Sequence, residues 1–359
     1  MRPWSPATTA TGSRTSCATA SSSKGFRSRS TSSRAERQDD AVKVVVVGGG
    51  SWGTAFAPLL RDHDHDVTLA CRDPDQARVI EETGHNPRYL TTTDLRGVKA
   101  TTIREAPIAE ADLIVLAVPS RAFAEVAEAL PGNAPVLILT KGLDPATGDR
   151  LSTRVQGRPV AVLSGPNMAE EIAQGLPSAT VIASEDSELA ERLQEAINSM
   201  VFRVYVNEDL VGVELCAAAK NVIALAAGGV DGLGLGDNAK ASLITRGLVE
   251  MARLGEACGG QPETFSGLAG MGDLNVTCYS GYGRNRRAGE LIARGATADE
   301  AAAQIGQVVE GLTTAPVLRD LSHRVGVELP ITEGVCRVLS GESLDGLLAS
   351  LMGRQPTNE

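Results

Sequence analysis

The sequence of 359 residues is short of basic residues relative to acidic ones, with 34 Lys and Arg against 44 Asp and Glu and a net charge of −10. Residues 1–40 hold 7 basic and 3 acidic residues, so the remainder carries a net charge of −14. A body this acidic is repelled by nucleic acid and by anionic membranes. An anionic small molecule would therefore need a local group of cations to bind.

The sequence also lacks cysteine pairs and long apolar runs. Its six cysteines are scattered, and none has C-x-x-C spacing. We expect reduced thiols in a cytoplasmic protein, without a zinc site or a disulfide framework. No uninterrupted apolar run reaches the roughly 18 residues that span a bilayer. The cluster His63-Asp64-His65-Asp66 has metal-ligating side chains, but it lies in a predicted turn without a third ligand nearby, so we expect no metal.

Residues 1–40 are rich in Ser, Thr and Arg and contain no acidic residue before Glu36. Such a composition cannot bury a core and predicts disorder. An organellar transit peptide has a similar composition, but no amphipathic apolar face is present. We favour a dispensable extension, such as one that arises when the start of translation is assigned too far upstream.

Residues 42–53, VKVVVVGGGSWG, predict a buried parallel strand that ends in a glycine turn and opens into a helix. Gly48, Gly50 and Gly53 fit G-x-G-x-x-G. In this pattern the first glycine makes the tight turn, the second lets amides approach a pyrophosphate, and the third packs helix on strand. The helix that begins near Ser51 would point its amides at the phosphates. The stretch therefore predicts a dinucleotide-binding site.

The next predicted strand, residues 67–70, runs into Cys71, Arg72 and Asp73. An arginine at this position can bind a 2′-phosphate, whereas Asp73 could hold an unphosphorylated ribose. The pair favours tolerance of NADP without excluding NAD. The alternative is that Arg72 is an ordinary solvated charge at the end of a strand.

Strands and helices alternate from residue 42, which predicts an α/β fold with a parallel, doubly wound (Rossmann-type) sheet covered on both faces. The predicted strands are 42–47, 67–70, 98–101, 113–118, 136–139, 160–163, 179–183 and 202–205, and the predicted helices are 51–62, 121–130 and 187–199. After Asn207, which has the character of a helix N-cap, the periodicity is helical, with glycine-rich breaks at 228–236 and 280–283. We therefore predict a disordered extension at 1–40, a dinucleotide-binding domain at 41–206 and an all-α domain at 207–359.

Three polar or turn-forming stretches follow predicted strands and should meet at one edge of the sheet, where ligands of such sheets bind. They are Pro119-Ser120, Thr140-Lys141-Gly142 and residues 164–167. Lys141 is the single lysine among them, where a buried anion or a cofactor would need a cation. The alternative is a solvated loop lysine.

Lys220 lies in the most apolar helical stretch, LCAAAKNVIALAAG. A buried lysine is unfavourable unless it is paired or functional. Desolvation and a nearby cation such as Lys141 would lower its pKa and make it a usable general base. The alternative is a side chain that snorkels to solvent.

The segment GYGRNRRAG, residues 281–289, places Arg284, Arg286 and Arg287 at the start of a helix. Arginine side chains and helix N-terminal amides together bind phosphate well. The alternative is a surface cluster without a ligand.

The blocks VELCAAAKNVIALAAG, GDNAKASLITRG, GLAGMGDLNVTC, GRNRRAG and VVEG resemble, in that order, the signature blocks of bacterial NAD(P)-dependent glycerol-3-phosphate dehydrogenase. GGGSWGTA, the NPRYL loop at 86–90, LTKG and LSGPNMAEE are similar to blocks in the first half of the same family. The resemblance covers about residues 42–345.

The resemblance implies that Lys220 accepts the proton of the 2-hydroxyl of sn-glycerol 3-phosphate, and returns it to dihydroxyacetone phosphate in the reverse direction, which leads toward phospholipids. By the same likeness the substrate is lined by Lys141, Gly165, Asn167, Lys220, Asp273, Gly283, Arg284 and Asn285. NAD or NADP contacts Ser51, Trp52, Arg72, Lys141, Ala169, Arg284, Val308 and Glu310 in addition to the glycine turn. The family pairs a Rossmann-type domain with a helical one and dimerises through the latter.

Two positions depart from the family pattern. Gly283 stands where serine is usual, and Asn167 stands where serine or threonine is frequent, so each removes or alters a hydroxyl near the substrate. A backbone amide could replace the hydroxyl at Gly283.

Two other functions are compatible with parts of the sequence. A related β-hydroxyacid dehydrogenase would share the two-domain plan and a helical lysine, but it would need to recognise a carboxylate, whereas GRNRR favours phosphate. A non-catalytic dinucleotide sensor would have no use for a buried Lys220 facing the nicotinamide.

Overall fold

The computed structural model describes residues 42–343. The expected disorder of residues 1–40, the cysteine at position 17 and the end of the predicted helical domain lie outside the described residues. Within them, all eight strands precede the long run of helices.

The strands belong to a single sheet. They are β1 Lys43–Val47, β2 Asp66–Cys71, β3 Lys99–Thr102, β4 Leu113–Leu116, β5 Val136–Ile138, β6 Val160–Ser164, β7 Ser178–Ala183 and β8 Phe202–Asn207. Their order is β3-β2-β1-β4-β5-β6-β7-β8, and every neighbouring pair is parallel except β6 with β7. The sheet is therefore doubly wound, and the strand order changes direction between β1 and β4.

The helices that accompany the sheet are α1 Ser51–Arg61, α2 Pro74–Thr83, α3 Ser120–Glu128, α4 Ala169–Ile172 and α5 Ser187–Ile197. Helices α1, α2 and α5 contribute to the apolar core on one face of the sheet, and α3 contributes to the core on the other face. Both faces are covered, as the alternation of apolar strands and helices predicts.

After β8 the described chain is helical. Its helices are α6 Leu210–Gly232, α7 Gly236–Ala257, α8 Pro262–Ser266, α9 Asp273–Tyr279, α10 Arg284–Ala293, α11 Ala298–Ile305, α12 Glu310–Val325 and α13 Pro330–Leu339. A π-helical turn, Leu268–Gly272, leads into α9. These helices enclose a third apolar core around α6. The α/β sheet region followed by an all-α region confirms the predicted fold class.

Several local expectations are wrong. The antiparallel β6–β7 pair contradicts a purely parallel sheet. The connection between the two strands contains only the four-residue helix α4, which is shorter than the helical crossovers that usually join parallel neighbours. Helices α2 and α4 were not expected. Asn207 ends β8 and accepts a hydrogen bond from the Asp209 amide, and Asp209 is the N-cap of α6.

The expected break at 228–236 is present, because α6 ends at Gly232 and α7 begins at Gly236, but α6 continues through Gly228 and Gly229. An added Cβ at Gly228 would lie 1.8 Å from the Arg286 carbonyl oxygen, and one at Gly289 would lie 1.9 Å from the Leu225 carbonyl oxygen. These glycines therefore let α6 and α10 pack backbone against backbone, and tertiary contact outweighs their poor helix propensity. The expected break at 280–283 is confirmed between α9 and α10.

By length and composition, helix α6 could cross a membrane. The sequence did not suggest this, because polar residues interrupt its apolar run. In the structure, 89% of its apolar window is buried inside the protein. Its apolar side chains are therefore covered by the surrounding helices and the sheet, as those of a core helix in a soluble protein are.

The two histidines of the His63–Asp66 cluster both contact the C-terminal end of α5. His63 Nε2 lies 3.1 Å from the Asn198 carbonyl oxygen, and His65 Nε2 lies 3.2 Å from the Ala196 carbonyl oxygen. The described residues contain no group of three side chains suited to a metal. All five cysteines in this part of the chain are free thiols.

We expect Gly228→Ala to lower the free energy of unfolding by roughly 1–3 kcal/mol, because the new methyl group collides with the backbone of α10. The matched control is Gly229→Ala on the same helix, where no atom lies within 4 Å of the added Cβ. Helix propensity favours alanine there by about 0.8–1.0 kcal/mol. Thermal unfolding followed by circular dichroism should show a lower Tm only for Gly228→Ala; equal Tm values would contradict this packing argument.

Candidate functional site

The glycine turn has the geometry that a pyrophosphate needs. Gly48 has φ +122°, and an added Cβ would lie 2.5 Å from the Ala117 carbonyl oxygen, so only glycine fits this tight turn. An added Cβ at Gly53 would lie 2.0 Å from the Gly48 carbonyl oxygen, whereas the space beside Gly50 is open. Helix α1 begins at Ser51 without a side-chain cap. The turn therefore leaves helix N-terminal amides free for an anion.

Trp52, the second residue of α1, has a half-buried ring that packs edge-to-face on Phe56, with ring centroids 5.5 Å apart. Its indole Nε1 is buried without a hydrogen-bond partner in the described structure. A buried donor without a partner is unfavourable. Trp52 thus brings an unsatisfied N–H group close to the glycine turn.

Arg72 and Asp73 follow β2 and differ in their surroundings. Arg72 is exposed, and within residues 42–343 its guanidinium has no polar partner. The Asp73 carboxylate caps α2 by accepting from the Asp75 amide at 2.9 Å, and it pairs with Arg88 at 2.7 Å. Of the two, Arg72 is the group available to a ligand.

Two lysines share one buried carboxylate. Lys141 follows β5, Lys220 lies in the middle of α6, and Asp273 begins α9. The Asp273 carboxylate accepts from Lys141 Nζ at 2.6 Å and from Lys220 Nζ through its other oxygen. Lys220 Nζ also donates to Thr277 Oγ1 at 3.0 Å, and Lys141 Nζ donates to the Gly165 carbonyl oxygen at 3.1 Å. The three elements meet as the sequence predicted for Lys141 and Lys220.

Lys220 is 5% exposed, so its amine does not snorkel to solvent. Burial and the neighbouring Lys141 together lower the pKa of Lys220 to about 7, although Asp273 opposes the change. For Asp273, burial raises the pKa, but Lys141 and Lys220 outweigh burial and hold it below its usual value. The carboxylate stays charged, and the Lys220 amine exchanges a proton near neutral pH.

The three arginines at the start of α10 have different roles. Arg286 binds Asp231 at 2.8 Å and Glu290 at 3.2 Å, so its guanidinium holds helices together. Arg284 and Arg287 are exposed and have no polar partner in the described part of the chain. The expected cluster of three phosphate-binding arginines is therefore reduced by one, and Arg284 lies in the first turn of the helix.

Gly283 is the N-cap of α10. Its amide donates to the Ser280 carbonyl oxygen at 3.1 Å, so the amide that could replace a serine hydroxyl is engaged within the loop. An added Cβ would lie 2.9 Å from the Thr277 carbonyl oxygen. A serine at this position would require a shift of the neighbouring backbone.

Asn285 is 8% exposed and links three helices. Its Nδ2 donates to Asn221 Oδ1 at 2.9 Å, and its Oδ1 accepts from the Gly311 amide at 2.9 Å. The contact of Asn285 with Asn221 was not expected, and the position of Asn221 beside Lys220 was no signal for it, because adjacent residues of a helix point in different directions. One N–H of the Asn285 amide remains for a ligand.

The connection after β6 supplies three of the expected residues. Gly165 has φ +150°, and an added Cβ would lie 3.0 Å from the Thr180 Cα atom. Asn167 Nδ2 donates to Thr180 Oγ1 at 2.8 Å, so this amide takes part in the β6–β7 edge. Ala169 begins α4 and is buried.

Val308 and Glu310 lie at the start of α12. The Glu310 carboxylate accepts from the Ser120 amide at 3.1 Å and from Ser120 Oγ at 2.5 Å. Ser51 Oγ lies 3.4 Å from Gln307 Oε1, which joins the glycine turn to the same segment. Thr277 is the other residue that the sequence argument missed, and its i+4 spacing from Asp273 on α9 was the available signal.

Comparisons with known proteins show which family this chain resembles. The models of the NAD-dependent glycerol-3-phosphate dehydrogenase N-terminus and C-terminus match residues 43–190 and 209–344. The glycerol-3-phosphate dehydrogenase [NAD(P)+] of Moorella thermoacetica is 46% identical over 325 residues, which covers 88% of this chain and 97% of that protein. That of Macrococcus caseolyticus is 41% identical, over 89% of this chain and 100% of that protein.

A solved structure is similar over the same range. The crystal structure of glycerol-3-phosphate dehydrogenase from Coxiella burnetii has a TM-score of 0.84 and 38% identity, and the match covers 88% of this chain and 99% of that one. Both family models, the curated relatives and the solved structure span the sheet and the helical region. The chain belongs to the NAD-dependent glycerol-3-phosphate dehydrogenase family.

Proposed function

We propose that this chain is an NAD(P)-dependent oxidoreductase that interconverts sn-glycerol 3-phosphate and dihydroxyacetone phosphate in the cytoplasm, supplying glycerol 3-phosphate for phospholipid synthesis. The observation that carries the proposal is the buried amine of Lys220, which shares Asp273 with Lys141. A helical lysine of this kind has the proton affinity that alcohol oxidation needs at neutral pH.

The glycine turn fits a dinucleotide, because the free amides at the start of α1 and the open space beside Gly50 receive a pyrophosphate. When bound, the nicotinamide supplies hydride to carbon 2 of the substrate or takes it up. The exposed Arg72 supports use of NADP as well as NAD, because its guanidinium is free to pair with a 2′-phosphate.

The proton chemistry belongs to Lys220. In oxidation its neutral amine accepts the proton of the 2-hydroxyl, and in reduction its ammonium gives a proton to the forming alkoxide. Asp273 and Thr277 hold the Nζ atom in place. Lys141 contributes a positive charge that disfavours a second charge on Lys220 and attracts the anionic substrate.

The phosphate of the substrate is assigned to Arg284, whose guanidinium is free and lies at the N-terminus of α10. The amide of Asn285 adds one further donor. In a protein with an acidic net charge, these groups supply the local cations that an anionic substrate requires.

We also propose that the protein is a homodimer formed through the helical region. An apolar groove lined by residues of α6, α7, α10 and α13 supports this proposal. Contiguous apolar surface of this kind is typical of subunit contacts.

We expect the wild-type protein to oxidise NADH or NADPH when dihydroxyacetone phosphate is added, and Lys220→Ala to lower turnover by about 10²-fold or more, as the loss of a general acid–base group does. The matched control is Lys240→Met, because Lys240 is a second buried lysine, 6% exposed and paired with Asp231 at 2.8 Å. Its turnover should stay within a few-fold of wild type. Turnover near wild type in Lys220→Ala would remove Lys220 from the mechanism.

The two directions should depend on pH in opposite ways. Because the pKa of Lys220 is about 7, kcat/KM for oxidation should rise with pH through this region as the neutral amine forms, and kcat/KM for reduction should fall. Asp273 raises the pKa of Lys220, so Asp273→Asn should move the oxidation profile to lower pH. Profiles of the wild type and the variant test this, and an unchanged midpoint would contradict the assignment.

Arg284→Ala should raise the free energy of transition-state binding by about 1.5–3 kcal/mol, the value of a charge-assisted contact, which is roughly a 10- to 100-fold loss in kcat/KM for the phosphorylated substrate. Turnover of glycerol without a phosphate should change much less. The matched control is Arg287→Ala, also exposed on α10, which should leave both values nearly unchanged. An equal loss for glycerol and glycerol 3-phosphate would refute the phosphate assignment.

A further inference from the structure

Ser120 binds the Glu310 carboxylate with both of its polar groups. Its amide donates to Oε1 at 3.1 Å and its hydroxyl donates to Oε2 at 2.5 Å, although the residues are 190 positions apart. Ser120 is 3% exposed and begins α3, whose N-cap Pro119 makes no side-chain cap. The carboxylate thus satisfies an amide at the positive end of α3 that its own sequence leaves unpaired. We call this contact the clasp.

The clasp lies at the edge of the sheet where the proposed ligands bind. Gly142, next to Lys141, has φ +155°, and an added Cβ would lie 3.1 Å from the Ser120 Cβ and 3.7 Å from Glu310 Oε2. The loops after β4 and β5 therefore both approach the Glu310 carboxylate. Glu310, a residue of the helical region, is therefore held close to the carboxyl ends of β4 and β5.

Glu310 belongs to a short segment that touches both parts of the proposed site. At one end Gln307 Oε1 lies 3.4 Å from Ser51 Oγ of the glycine turn. At the other end the Gly311 amide donates to Asn285 Oδ1 on α10 at 2.9 Å. We call residues 307–311 the brace, because it runs from the glycine turn to the helix that carries Arg284.

We propose that Ser120 is a positioning residue, which fixes the Glu310 carboxylate and with it the brace in the conformation that receives the dinucleotide. This inference rests on the proposed function. A carboxylate offers about four acceptor sites, and Ser120 occupies two of them. The remaining lone pairs can only accept hydrogen bonds, so they suit donors such as the hydroxyl groups of a ribose. Without Ser120 the Glu310 carboxylate can rotate. Binding of the dinucleotide must then also order this side chain, which weakens the affinity.

The chain contains a matched control for this contact. Ser152 is 5% exposed, its amide donates to Glu214 Oε1 at 2.9 Å, and its hydroxyl donates to Oε2 at 2.6 Å. This pair also joins the sheet region to a helix, because Glu214 lies in α6. The Ser152–Glu214 pair makes the same two kinds of hydrogen bond as the clasp, but neither residue lies in the brace or contacts Glu310.

The experiment measures the Kd of the full-length protein for NADH and for NADPH by fluorescence titration without substrate, together with Tm. Ser120→Ala should raise both Kd values about tenfold, as the loss of a hydrogen bond to a charged group does. Ser152→Ala should change them less than about twofold, although both variants should lower Tm. In a Glu310→Gln background, Ser120→Ala should add less than about twofold.

The clasp is overturned if Ser120→Ala leaves both Kd values unchanged, if Ser152→Ala weakens binding equally, or if the effect of Ser120→Ala is as large in the Glu310→Gln background. Failure of the wild-type protein to bind either dinucleotide would overturn the proposed function together with the clasp, whereas wild-type binding with no effect of Ser120→Ala overturns the clasp alone. Should Ser120→Ala not fold, Ser120→Cys replaces it, with an expected rise in Kd of at least about threefold.

Discussion

The structure depends on one carboxylate, that of Asp273, which lies between two ammonium groups in a buried site. It is 1% exposed and binds Lys141 through one oxygen and Lys220 through the other. Without it two like charges would face each other out of water, which is strongly unfavourable. With it the cluster keeps a surplus of one positive charge when both lysines are protonated. That surplus is what an acidic protein needs to attract an anion and to keep one amine ready to lose its proton.

The three groups of this cluster come from three different elements, so the fold determines the chemistry. Lys141 follows β5 at the carboxyl edge of the sheet, Lys220 lies in the core helix α6, and Asp273 begins α9. The position of α6 is set in turn by its glycine contacts with α10, which bring the backbones of the two helices together. Because α10 carries Arg284, the packing that fixes Lys220, the residue we propose for proton transfer, also fixes Arg284, the residue we propose for phosphate binding.

Polar contacts, in addition to apolar burial, hold the sheet region and the helical region together. Arg324 on α12 donates to the Thr147 and Gly148 carbonyl oxygens. The Ser152–Glu214 pair forms a second contact between the two regions. Burial raises the pKa of Glu214, while Ser152 and Arg150 oppose that change. The Ser152–Glu214 hydrogen bonds satisfy a buried carboxylate, so separation of the two regions would leave its oxygens and the Ser152 donors without these partners. Residues 42–343 accordingly belong to one compact unit.

Local sequence patterns determined much of this protein. The alternation of strands and helices, the turn from Gly48 to Gly53, the buried helix around Lys220 and the helical region after β8 all follow from periodicities and turn residues that act over a few positions. Only the tertiary structure decided that β7 runs antiparallel and that α6 continues through Gly228. It also decided that Arg286 is engaged in ion pairs, whereas Arg284 has no polar partner among residues 42–343. It also decided that Asp273 meets Lys220, 53 residues away, and Lys141, 132 residues away. A spacing pattern records which face of an element is buried, but the partner of a buried charge is fixed only when distant elements pack together.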